Sequence, residues 1–107
     1  MSIKNSKYIV EIDKDAKRLK RIFEDLKVHR ECIIDSNDRG WHSPMRKLGI
    51  IISKENLIDD GLIDPIWSVK KHNVIDKRLI RLKPNTEIER IDGNKKTFYK
   101  FRRRRLV

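Results

Sequence analysis

The 107-residue chain carries a net charge of +11, yet 32 of its residues are Ile, Leu, Val or Phe, well above the roughly 20% below which disorder is expected. That length fits one domain, 1–107, and excludes a second core of comparable size. One cysteine excludes an internal disulfide, and the longest apolar run, "LGIII" around Ile50, falls far short of the roughly 18 residues that span a bilayer.

The N-terminal "MSIKNSKYIVEIDKD" has neither an apolar signal core nor a small-residue cleavage site, so a cytoplasmic protein is expected. Within it, "KYIVEI" (7–12) predicts a short strand with Tyr8, Val10 and Ile12 on one face. "DKDAKRLKRIFEDLKVHRE" predicts a helix capped by Asp13, with Ala16, Leu19, Ile22, Phe23 and Leu26 forming its apolar stripe. Lys14, Lys17, Arg18, Arg21 and Lys27 lie mainly off that stripe, as a solvated outer face requires. Cys32 reads as a buried, inert thiol.

"DSNDRGWHSP" (35–44) is expected to be a loop. It opens like a calcium loop, but Arg39 and Arg46 occupy the fifth and twelfth positions, where ligands are needed, so the motif fails. "KLGIIIS" (47–53) predicts a buried strand, and Ser53 a cap for a short helix through "KENLIDD", ended by Gly61.

Beyond Asp64-Pro65 the texture is β-like and basic, with candidate strands at 66–71, 77–83, 86–91 and 96–102. Pro84-Asn85 suits a tight turn and Asp92-Gly93 a hairpin, so the last three strands are expected to form an antiparallel meander. Ile88 and Ile91 fall on opposite faces under strict alternation, which suggests a bulge. The fold class expected is α+β: one small domain, with an N-terminal strand and amphipathic helix packed on a mainly antiparallel β-meander. Residues 102–107 form its basic C-terminal tail.

Charge is unevenly distributed along the chain. Residues 1–69 hold 13 Lys and Arg against 12 Asp and Glu, while residues 70–107 hold 14 against 4. Such segregation steers a polyanion to one face. The final "KKTFYKFRRRRLV" reads as an edge strand running into four arginines, more than an anti-aggregation gatekeeper requires. The residues expected to bind nucleic acid are Arg78, Arg81, Lys83, Lys95, Lys96, Lys100, Arg102, Arg103, Arg104 and Arg105, with Tyr99 stacking on a base.

Catalytic signatures are weaker. The sequence has no Walker loop, dinucleotide glycine pattern or nucleophile elbow. Zinc would need Cys32 with His29, His42 and His72, without a Cys-x-x-Cys knuckle, so no metal or cofactor is expected. Trp67 reads as core and Trp41 as a loop residue that packs over the core or meets a partner. The function expected is nucleic-acid binding through phosphates, with RNA or single-stranded DNA preferred over duplex DNA because aromatic-bearing strands suit unpaired bases. A regulator, such as a phage-encoded inhibitor docking its basic face on an acidic protein, is the alternative. A third reading is a metal-independent ribonuclease using Arg and Lys for the phosphate and His72 or Tyr99 for proton transfer.

Overall fold

The computed structural model describes residues 8–35, 42–71 and 74–104. The chain runs β1 (Ile9–Asp13), α1 (Lys17–His29), β2 (Glu31–Asp35), α2 (His42–Lys54), β3 (Ile63–Lys71), β4 (Val74–Leu82), β5 (Thr86–Asp92) and β6 (Lys96–Arg103). The strands form two antiparallel three-stranded sheets, ordered β1-β6-β5 and β2-β4-β3. The architecture is α+β, in one domain.

Alternation builds the sheets. Val10 and Ile12 of β1, and Thr97, Tyr99 and Phe101 of β6, turn inward from the first sheet. Cys32 and Ile34 of β2, with Ile80 and Leu82 of β4, turn inward from the second. Between them lies α1, burying the expected stripe of Leu19, Ile22, Phe23 and Leu26. Phe23 stacks on Tyr99 at 5.4 Å and meets Phe101 edge-on at 6.0 Å. One continuous core results.

Several expectations change. Asp13 does not cap α1. It ends β1 opposite Lys96, and a tight turn carries the chain to Ala16, where the helix begins without a side-chain cap. The helix stops at Arg30, whose N–H makes its last bond, to the Leu26 carbonyl at 3.0 Å, and whose left-handed φ of 65° then turns the chain out of the helix. The next five residues, "ECIID", form β2, a strand that was not expected; the helical reading of 13–31 ran on into its first residue, Glu31. Alternation of Cys32 and Ile34 inward with Glu31 and Ile33 outward was the available signal.

The run at 47–53 is helical, not a strand. Leu48 and Ile52 are buried at four-residue spacing while Ile50 is 61% exposed, a pattern that a strand with alternating faces would not give. Asn56, with φ of 54°, then closes α2: its N–H meets the Ser53 carbonyl, and that of Leu57 the Ile52 carbonyl. This is a Schellman cap, sealed by buried Leu57. A second such cap at Gly61, φ 78°, ends the following turn and replaces the short helix expected after Ser53.

The expected meander is interrupted. Residues Lys83 to Thr86 make a turn in which Thr86 N–H meets the Lys83 carbonyl at 3.2 Å and Asn85 takes a φ of 66°. Proline followed by a positive-φ residue is type II geometry, which splays its flanking strands. Accordingly β4 stays with β2 and β3, whereas β5 crosses to the other sheet. The β5–β6 hairpin does form, bending at Asn94-Lys95; an added Cβ at Gly93 would lie 3.1 Å from the Phe98 ring and 3.2 Å from the Lys96 carbonyl oxygen, so a larger residue there would have to displace one of them. No bulge separates Ile88 from Ile91. Its register is continuous, with Ile91 facing outward opposite Phe98, and the irregularity lies instead between Ile66 and Val69.

Trp41, His72 and Arg105 lie outside the described residues, and His42 and Trp67 are described by backbone alone. Among the described residues no helix is long and apolar enough to cross a membrane.

Candidate nucleic-acid interface

β6 is central, hydrogen-bonded to β1 on one side and β5 on the other. Its outward residues Lys96, Phe98, Lys100 and Arg102 therefore face neighbours on both flanks. Those neighbours are acidic: Asp13 and Glu11 on β1, Glu87 and Glu89 on β5. Lys96 Nζ lies 2.6 Å from Asp13 Oδ1, and Arg102 Nε 2.9 Å from Glu87 Oε1. Lys100 is in register with Glu89 and Ile9. The hydrogen bond and charge of Lys96 hold the Asp13 carboxyl below its usual range, and Asp13 raises the Lys96 ammonium in return.

Tyr99 is not placed to stack on a base. It is fully buried, and its hydroxyl donates to Glu24 Oε2 at 2.6 Å. Burial, then the Glu24 hydrogen bond, pushes its pKa well above the ordinary phenol value. Glu24 also forms an ion pair with Arg90 Nη1 at 3.1 Å, so these contacts fasten α1 to the first sheet. Phe101 is buried as well. The Cys32 thiol donates to Asp25 at 3.6 Å, and burial pushes its pKa up to about 12, as an inert thiol requires.

The remaining expected residues divide between the two ends of β6. Lys95 and Lys96 sit at the β5–β6 hairpin beside Lys14, whose N–H meets the Lys95 carbonyl. About 23 Å away, at the rise of an extended strand, are Arg102, Arg103 and Arg104. This arginine end also collects the exit of β4. Arg30 Nη2 donates to the carbonyls of Lys83 and Thr86, each at 3.0 Å, and Leu82 N–H meets the Arg30 carbonyl at 2.8 Å. The Arg104 N–H donates to the Asn85 carbonyl, and the Arg103 guanidinium to that of Asp60. Arg81 pairs with Glu31 at 3.8 Å and Lys83 with Asp64 at 3.9 Å, all four side chains about half exposed. Arg78 faces the opposite way, beside inward Ile34, and its Nε is buried without a hydrogen bond among the described residues.

Two surface clefts lie at this end. One, of about 350 Å³, is lined by Arg30, Pro84, Asn85, Thr86, Glu87 and Arg104. The other, of about 300 Å³, shares Arg30 and Pro84 and is bounded further by His29, Glu31, Arg81 and Leu82. Arg30 was missed in the sequence because it reads as one more cation on a helix. Its signal was position: a non-glycine residue between the last helical residue and a strand must make the turn. No group of His, Cys, Asp or Glu among the described residues could hold a metal ion. No family model matches this chain, and no curated protein or solved structure matches it either.

Proposed function

We propose that the protein binds nucleic acid through phosphate contacts at the arginine end. The observation that carries this reading is the gathering of Arg30, Arg81, Lys83, Arg102 and Arg104, from three separate segments, on or beside two clefts that share Arg30 and Pro84. Their ion pairs are solvent-exposed and weak, so a phosphate can replace a carboxylate at little cost. Arg105 extends the same end of the chain. Lys95, Lys96 and Lys100 contribute less, because acidic strands flank them. The ribonuclease reading loses Tyr99 as a proton-transfer residue, since it is enclosed and its hydroxyl already donates to Glu24. A cytoplasmic location accompanies this reading.

A second reading, a regulator that docks on an acidic protein, draws support from Ile33, 56% exposed beside Glu31 and Arg81 on the outer face of the second sheet. Titration with several unrelated oligonucleotides at increasing salt separates the two. Phosphate binding predicts similar affinities across sequences, with log K falling against log salt by about 0.7 per contact for a single strand and about 0.9 for a duplex. An affinity that ignores salt, or no binding to any oligonucleotide, would favour the protein partner.

A further inference from the structure

We infer that the cleft holding His29, Arg30, Glu31 and Arg81 cuts single-stranded RNA, by attack of a ribose 2′-hydroxyl on the adjacent phosphate. The inference rests on the nucleic-acid reading above, because the cleft must hold a phosphate before it can cut one. Local structure explains why these side chains meet. His29 is the last residue of α1 and Glu31 the first of β2, and the left-handed turn at Arg30 joins them. Arg81 of β4 stands in register with Glu31. The Leu82 N–H, bonded to the Arg30 carbonyl, holds β4 against that turn.

Cleavage of this kind needs a base for the nucleophile, an acid for the leaving group and positive charge on the phosphate. Glu31 is the base: its exposed carboxylate is only loosely paired with Arg81, at 3.8 Å, and keeps lone pairs for the 2′-hydroxyl proton. His29 is the acid, exposed at the end of α1 and carrying the side chain best suited to passing a proton near neutral pH. Arg30 and Arg81 supply the charge. One terminal nitrogen of Arg30 is tied to the carbonyls of Lys83 and Thr86, which fixes its remaining N–H groups in place for phosphate oxygens. The step balances without a further reagent. The 2′-oxygen bonds to phosphorus as Glu31 takes its proton. The bond from phosphorus to the 5′-oxygen breaks as His29 gives that oxygen a proton. A 2′,3′-cyclic phosphate and a 5′-hydroxyl leave, and exchange with water returns both side chains to their starting states. DNA lacks the 2′-hydroxyl and is bound uncut. The neighbouring cleft, which shares Arg30 and adds Arg104, takes the next nucleotide of the strand.

The test incubates the full chain, in EDTA, with an RNA strand and with DNA of the same sequence. Native protein should bind both, leave the DNA intact and cut the RNA to fragments ending in 2′,3′-cyclic phosphate. Glu31→Gln and His29→Gln should each slow cutting by about 10²–10⁴-fold while still binding the RNA. Both side chains are exposed, so the variants should stay folded, which circular dichroism checks. An RNA with sulfur in place of one 5′-bridging oxygen separates the two roles, because that leaving group departs without a proton. It should restore cutting by His29→Gln and not by Glu31→Gln. RNA that is bound and left intact would overturn the activity while leaving phosphate binding in place. Native cutting rates in both variants, fragments ending in a 3′-hydroxyl, or no rescue of His29→Gln by sulfur would do the same. Failure to bind either strand would overturn both readings.

Discussion

Arg30 shows how one side chain can offset the strain of its own backbone. A left-handed conformation costs a non-glycine residue roughly 1–2 kcal/mol, and here the guanidinium returns part of that by tying together the carbonyls of Lys83 and Thr86. Replacing it separates the two effects. Arg30→Ala loses the hydrogen bonds and keeps the strain; Arg30→Gly loses the hydrogen bonds and relieves it. The alanine variant should therefore be less stable than the glycine variant by about 1 kcal/mol in urea unfolding. Equal losses would mean that the backbone at Arg30 is unstrained. Tyr99 offers a second test. Tyr99→Phe keeps the ring stack on Phe23 but removes the hydrogen bond to Glu24, which should cost about 1–2 kcal/mol, since the charge of Arg90 still lies beside the carboxylate. Nucleic-acid affinity should not change. A marked loss of affinity in a folded Tyr99→Phe protein would restore a direct role for the hydroxyl.

At the scale of elements, two glycines of similar openness should respond in opposite directions. Gly49 lies within α2 and Gly61 closes the turn after it, and an added Cβ would meet nothing within 4 Å at either. Gly49→Ala should stabilise the protein by about 0.5–1 kcal/mol through helix propensity. Gly61→Ala should destabilise it by about 1 kcal/mol or more, because its φ of 78° suits glycine. Thermal unfolding of both variants checks the pair. Agreement in sign would show that α2 or its cap is wrongly understood. The same stretch shows what local pattern conveys. The apolar stripe of α1 and the inward residues of β1 and β6 were legible because their spacing is unambiguous. "LGIII" was not, since a short apolar run suits a buried strand or a helix equally. Pro84-Asn85 announced a turn truthfully, but only its type II geometry separates β4 from β5, and that separation moves β6 to the centre of its sheet.

For the whole molecule, segregation of charge along the chain is not segregation in space. The excess of the last third suggested one basic face, yet Asp13 and Glu11, from the balanced part of the chain, come to lie against β6. They meet Lys96 and Phe98 in register, while Glu87 and Glu89 face Arg102 and Lys100 from the other side. Of the expected binding residues, those at the exits of β4 and β6 are brought together. Lys95 and Lys96 are carried to the far end, Arg78 faces inward, and Tyr99 enters the core. Pairing across strands decided that division, and no local window of sequence contains it. The most direct measurement compares salt slopes for two variants that each remove three cations. One replaces Arg102, Arg104 and Arg105 with glutamine; the other replaces Lys14, Lys95 and Lys96. The first should reduce the magnitude of the log K against log salt slope by about 2.1–2.7, at 0.7 to 0.9 per phosphate contact, and the second should leave it near the native value. Equal reductions from both ends, or an unchanged slope without the three arginines, would contradict phosphate binding at the arginine end.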